Sequence, residues 1–317
     1  MNILIVMLIA LGIFAAVLTF VFLKDIAVHK DEIPKGADGG KSPLWIAAVI
    51  GFVTNFFDTL GIGSAAPTTA LFKMTKSVDD EIIPGTINVA HALPVTVMAF
   101  LYIILLGVYV DTTTLIALIT AATVGAWLGA GVVAKFNRRK IQLVMAIALF
   151  LVGLVMAARN VGWIEVVGEG NTATGLTGLL FIVGIVTHFI LGALMTAGIG
   201  LYAPSMAIVY LLGLSPAVAF PIMMGACAFL MPVAGVKFIK EGKYARKQSL
   251  AIALFGIAGV WVAFQFFRGM FDLGLLIWLV IGVILITSVM MLLSYSKSNS
   301  PENIGNPLEI QNTDSKL

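Results

Sequence analysis

The sequence predicts an all-α polytopic membrane protein: an inverted-topology repeat of a helical hairpin plus three helices, with one extra N-terminal helix. Three observations predict it. The 317 residues are 60% hydrophobic and 11% charged, with a mean hydropathy of +1.06. A soluble domain carries about 25% charged residues, and a β-barrel would show short alternating segments instead. Next, Gly61-Ile62-Gly63 with Pro67 returns as Gly198-Ile199-Gly200 with Pro204, and five of seven positions are shared between GIGSAAP and GIGLYAP. Finally, the basic residues gather in two loops whose placement turns the halves upside down relative to each other.

The apolar runs are 3–23, 44–72, 82–107, 114–134, 141–158, 176–212, 216–236, 249–267 and 273–294. Most are close to the roughly 17–25 residues that one membrane helix needs. The runs 44–72 and 176–212 are too long for one helix, and each contains a Gly-Ile-Gly break, so each reads as two short helices folded into a hairpin. No basic stretch precedes the first run, which therefore reads as a retained helix and not as a cleaved signal. The chain divides into 1–43 (N-terminal helix and polar linker), 44–158 (first repeat), 176–294 (second, inverted repeat) and 295–317. That last segment is a polar tail expected to be disordered.

Orientation follows from charge. Lys135, Arg138, Arg139 and Lys140 form one basic cluster; Lys237, Lys240, Lys243, Arg246 and Lys247 form the other. Both belong on the cytoplasmic side by the positive-inside rule, whereas 159–175 suits the outside. Counting crossings back from those loops, the first hairpin enters and leaves from the cytoplasm and the second from outside. Ile83-Pro84 and Phe220-Pro221 keep the same 137-residue offset as the Gly-Ile-Gly pair, and Val124-Gly125-Ala126-Trp127 matches Ala258-Gly259-Val260-Trp261 at an offset of 134.

Paired Gly/Pro interruptions at corresponding places in two halves point to a transporter-type binding site. A broken helix leaves N–H and C=O groups unpaired, and in lipid these persist only where protein, water or a ligand satisfies them. The half-helices that follow Gly63 and Gly200 present free N–H groups and a partial positive charge, which together attract anions. Ser64 is placed to cap the first, and Pro67 and Pro204 suit a first helical turn. The spans hold no Lys or Arg away from their ends, so an anion there would rest on backbone and hydroxyl donors. The candidate binding residues are Thr59, Gly61, Gly63, Ser64, Thr68 and Thr69 in one half, and Thr196, Gly198, Gly200, Tyr202 and Ser205 in the other. Asn88 and His91 join them from the next helix, with Asn55 as a further polar group.

Asp58 is the charged residue that lies well inside an apolar run, about 20 Å past Leu44 at 1.5 Å per residue. An acid at that depth is costly unless protonated, paired or wet, which makes Asp58 a candidate for coupling to protons. His91 and His188 are the intramembrane histidines; either could serve an anion or pair with Asp58, and His188 is the second coupling candidate. Cys227 is the only cysteine, so an intrachain disulfide and a cysteine-based metal site are excluded, and it reads as a packing residue.

The order of elements resembles the TauE/SafE family of sulfite and sulfonate exporters, over roughly residues 44 to 294. The resemblance is carried by Gly51-Phe52 leading to Gly61-Ile62-Gly63, by Gly125-Ala126-Trp127-Leu128-Gly129-Ala130 before Asn137-Arg138-Arg139-Lys140, and by the repeated signature in Gly184 to Gly200. It departs where Ser64 and Ala65, and Leu201 and Tyr202, stand for the family's later glycines, and where the prolines come early. What the resemblance implies is a multi-pass protein of the cytoplasmic membrane that moves sulfite, sulfonates or other sulfur-containing anions, with import or export left open. The expected partners are a small anion and membrane lipid, with no cofactor and no nucleic acid.

Other readings are a passive anion channel of the same shape, a membrane subunit serving a soluble partner, and an intramembrane enzyme using Asp58 and His91. No Gly-x-x-x-x-Gly-Lys-Ser/Thr loop is present, so the chain is not expected to use ATP itself, and no His-Glu-x-x-His or Gly-x-Ser-x-Gly pattern favours the enzyme.

Overall fold

The computed structural model describes residues 3–30, 40–106, 110–133, 138–162, 171–196, 200–267 and 273–297. The helices in chain order are α1 (Ile3–Val28), α2 (Leu44–Asp58), α3 (Ala65–Thr75), α4 (Ile83–Ala90), α5 (Ala92–Leu106), α6 (Thr112–Val133), α7 (Arg138–Asn160), α8 (Gly178–Thr196), α9 (Tyr202–Leu211), α10 (Pro216–Lys240), α11 (Arg246–Phe267) and α12 (Leu273–Lys297). Among the described residues, six spans are long and apolar enough to cross a membrane, and α2, α9 and parts of α6 and α12 are shorter apolar helices. The all-α, multi-pass expectation is met. Both long runs are broken: α2 and α3 flank the first Gly-Ile-Gly, and α8 and α9 flank the second. The tail expected to be disordered lies outside the described residues from 298 onward.

Loop contacts sort the helix ends into two groups. In the first, Lys41 N–H donates to Ser77 O at 2.8 Å and Gly40 bridges Val78, so the start of α2 and the end of α3 meet. Ala245 N–H donates to Thr86 Oγ1 at 2.9 Å, and Gln248 Nε2 to Ser42 O at 3.2 Å. Arg246 Nε donates to Asp25 Oδ2 at 2.7 Å. The end of α1, the start of α4 and the α10–α11 turn therefore share that side.

The second group holds the ends of the α8–α9 hairpin. Ser215 N–H donates to Ala173 O at 2.8 Å and Asp111 N–H to Thr174 O at 2.9 Å. Leu176 N–H donates to Thr114 Oγ1 at 2.9 Å, while Arg159 and Asn171 meet Tyr210. α10 runs from this group at Pro216 to the first group at Lys240, roughly 37 Å at 1.5 Å per residue. The two hairpins open at opposite ends of α10.

α10 is also the axis of the core. Phe220, Met223, Met224, Cys227 and Met231 are buried along it, and it packs against α1, α4, α5, α6, α9 and α12. Around it the outer helices turn Phe20, Trp45, Trp127 and Trp261 outward, toward lipid. α2 lies along α11, α8 along α6, α7 along α12 and α5 along α10. Exchanging the halves maps this set of pairs onto itself. Small residues let backbones approach: a Cβ on Gly125 of α6 would collide with the Phe189 carbonyl of α8, and one on Gly259 of α11 with the Phe52 carbonyl of α2. Phe52 and Phe189 are 137 residues apart, as are the two Gly-Ile-Gly motifs. The α4–α5 span bends at His91. Pro94 has no N–H for the Ala90 carbonyl, so the helical ladder loses a rung there.

Candidate functional site at the two helix breaks

The first break is a tight turn. Gly61 and Gly63 both have φ near +90° (+89° and +88°), the left-handed region in which a side chain is strained. Gly61 N–H donates to Asp58 O at 2.8 Å, ending α2. Ser64 precedes α3 with φ −80° and ψ −27°, and its hydroxyl makes no cap bond. The expected cap is therefore not formed: a capping residue needs an extended backbone to aim its oxygen at the N2 or N3 amide, and Ser64 is already helical. At the second break, Gly198 lies among residues 197–199, outside the described set, and nothing is described of the Thr196 side chain. Gly200 is exposed.

The break regions pack on one another's half. A Cβ on Gly61 would collide with Met206 Cε of α9 and touch Met223 Cε of α10 at 3.1 Å. Tyr102 of α5 donates its hydroxyl to Thr59 O at 2.7 Å and stacks on Phe220 of α10, with centroids 5.4 Å apart. Beside Gly63 and Gly200 a Cβ would meet nothing within 4 Å, so open space adjoins both.

The histidines hold the half-helices. His91 Nε2 lies 3.0 Å from Thr68 Oγ1, and His188 Nε2 lies 3.0 Å from Ser205 Oγ. Thr68 and Ser205 are each the residue after the break proline. The other ring nitrogens fix the roles. His188 Nδ1 faces Gly184 O at 2.9 Å, which can only accept. His91 Nδ1 faces Asn55 Oδ1 at 3.1 Å, in an amide whose nitrogen donates to Gly51 O at 2.7 Å. In each neutral ring Nδ1 therefore carries the hydrogen, and Nε2 accepts from the hydroxyl. Thr68 and Ser205 are left with lone pairs, not hydrogens, to offer a ligand. Neither histidine pairs with Asp58.

The remaining hydroxyls are divided. Thr59 donates to Asn55 O at 2.8 Å and Thr69 to Ala65 O at 2.8 Å, the back-bonding that satisfies a helical threonine. Asn88 donates to Pro84 O at 2.8 Å, at the exposed side of α4, away from His91's bonds. Asp58 is buried, 1% exposed, and neither carboxylate oxygen has a hydrogen-bond partner among the described residues. Ser64 is its polar neighbour, but no donor reaches hydrogen-bond geometry. Tyr202 is buried at the start of α9 and its hydroxyl is likewise unpartnered. It lies within electrostatic reach of Asp58, Cys227 and Tyr102. Cys227 donates to Met195 Sδ at 3.6 Å.

Two members of this cluster escape a sequence reading. Tyr102 carries one sequence signal, a tyrosine inside an apolar run whose hydroxyl needs a partner. Cys227 read as packing and does pack, but beside Tyr202. Separately, an apolar groove of about 590 Å³ lies on the lipid-facing side between α2 and α11, lined by residues such as Trp45, Phe52, Leu254 and Phe255; it contains none of the candidate residues. No group of three or more metal-ligating side chains occurs among the described residues.

Residues 2–156 match the family model described as sulfite exporter TauE/SafE. The match spans all of α1, which the repeat sets apart, and ends in α7, so it takes in the first break and Asp58. No curated protein and no solved structure matched the chain. Over residues 2–156 this match supports the resemblance read from the first-half motifs of this multi-pass membrane protein.

Proposed function

We propose that the chain is a secondary permease of the cell membrane that carries a small sulfur-containing anion, held between the two broken hairpins. The observation that carries this reading is the seating of Gly61 on Met206. It brings the turn of one hairpin onto the half-helix of the other, beside open space and unpartnered polar groups. The family match supports the substrate class, namely sulfite, sulfonates and related anions.

We read the halves as an inverted repeat. The opening of the hairpins at opposite ends of α10 supports this, as do the helix pairs that survive exchange of the halves and the equivalent Gly125–Phe189 and Gly259–Phe52 contacts. Opposed hairpins around a fixed site are what alternating access uses. By the charge rule the side holding Asp25, Ser77 and Arg246 is cytoplasmic. Asp58 is the group we assign to proton coupling; His188, held by Gly184 and Ser205, shapes the second half-helix.

A thermal-shift screen of the purified protein tests the substrate class. A ligand that binds only the folded form stabilises it by about 2.7 kcal/mol at a hundredfold excess over Kd. Sulfite, thiosulfate or a small sulfonate should raise Tm more than acetate or chloride do. A shift with carboxylates alone would overturn the sulfur-anion reading.

A further inference from the structure

We propose that the anion docks on three donors, the Tyr202 hydroxyl, the Ser64 hydroxyl and the protonated carboxyl of Asp58, so that each anion binds together with one proton. This rests on the anion-permease reading above and specifies its site.

The donors follow by elimination. Thr59 and Thr69 give their hydrogens to the backbone, and Thr68 and Ser205 give theirs to the histidines. Among the candidate side chains described, that leaves Tyr202 and Asp58, both buried without partners, and Ser64, which makes no cap bond and adjoins the Asp58 carboxyl. The orphaned Asp58 and Tyr202 are expensive in a low-dielectric span unless something visits them. They also converge. Tyr202 and Met206 are four residues apart and share a face of α9; Met206 lies on Gly61, three residues beyond Asp58. Space for a ligand adjoins Gly63 and Gly200, where a Cβ would meet nothing within 4 Å.

Charge decides the protonation state that can bind. The titratable groups facing Asp58 and Tyr202 are Cys227 from α10 and Tyr102 from α5. His91, one turn back at Asn55, already serves Asn55 and Thr68. None of these supplies a positive charge, so an ionised Asp58 would repel an anion. Protonated, the same carboxyl donates a hydrogen bond to it. No bond is made or broken beyond the transfer of one proton from solvent to Asp58.

Calorimetry of the purified protein in two buffers of different ionisation enthalpy counts the protons. Methanesulfonate and thiosulfate are suitable probes because both stay fully ionised near neutral pH, so any uptake belongs to the protein. Uptake should rise toward one proton per anion as the pH is raised, with affinity falling about tenfold per pH unit at the alkaline end. Asp58→Asn keeps a donor but cannot titrate, and uptake should vanish. Tyr202→Phe should retain uptake and bind roughly tenfold more weakly. If it does not fold, Ser64→Ala reads the same loss. Binding without uptake at any pH, or uptake unchanged in Asp58→Asn, overturns this inference and leaves the permease reading standing. Failure of every sulfur anion to bind overturns both.

Discussion

Gly61 sits directly on Met206: a side-chain carbon at Gly61 would occupy the place of Met206 Cε. The turn of the first hairpin is thereby keyed to the half-helix of the second. Glycine is required there for its φ of +89° as well as for the contact. Gly63 shares the backbone requirement but has open space, and Gly200 has neither constraint.

The three glycines should therefore separate on substitution by alanine. Gly61→Ala and Gly63→Ala should each lower stability by about 1–2 kcal/mol through backbone strain. Gly200→Ala should change it by less than about 0.5 kcal/mol. Melting curves in detergent check the order; equal losses at all three would contradict the geometry.

The histidine bonds predict coupled losses. Replacing His91 by Phe strands the Thr68 hydroxyl and Asn55 Oδ1 in a buried place, at about 1–3 kcal/mol. Thr68→Val in the same background should then cost little more, and a double-mutant cycle should return about 0.5–3 kcal/mol of interaction. His188→Phe with Ser205→Ala should behave alike. Additive losses in both cycles would mean that the bonds do not matter.

How much of this was legible in the sequence depended on the kind of interaction. The helix breaks were legible because a left-handed turn leaves glycine in the chain, as at Gly61 and Gly63. Asp58 stood out because a charge deep in an apolar run has no bland explanation at hand. Which hydroxyls are free was not legible. Thr68 and Ser205 look like anion donors until His91 and His188, distant in sequence, are seen to take their hydrogens. Asn88 looked like a ligand because helical position alone does not tell which face is turned inward. Ser64 failed as a cap because its backbone is helical, and φ and ψ are not written in residue type.

Topology can be read by labelling. In a Cys227→Ala background, single cysteines at Lys140, Thr172 and Gly242 are all at exposed positions. Lys140 and Gly242 should react from the cytoplasmic side and Thr172 from the other. Labelling of Thr172 from the same side as the other two would break the opposed-hairpin arrangement.

The N-terminal helix should depend on the Arg246–Asp25 ion pair. Arg246 and Asp25 are 2.7 Å apart with side chains 8% and 14% exposed, and Tyr244 donates to the same carboxylate oxygen at 2.6 Å. Burial and the Asp25 carboxylate push the Tyr244 phenol well above its ordinary value. Arg246→Met takes the guanidinium from a largely buried carboxylate that keeps the Tyr244 hydroxyl and His29 Nδ1, 3.2 Å from Oδ1, and should cost about 3 kcal/mol, read as a drop in Tm. The pair Arg246→Met with Asp25→Asn should recover part of it. No drop in the single variant would show that α1 is not anchored there.

The central claim is vectorial passage of a sulfur anion between the two breaks. Proteoliposomes holding the purified protein, given radiolabelled sulfite, thiosulfate or a sulfonate, test it most directly. The account predicts saturable uptake of at least one of these and its loss in Gly200→Leu, which fills the open space while the protein stays monodisperse. Uptake by Gly200→Leu equal to the unsubstituted protein, or no flux of any sulfur anion above protein-free vesicles, would contradict it.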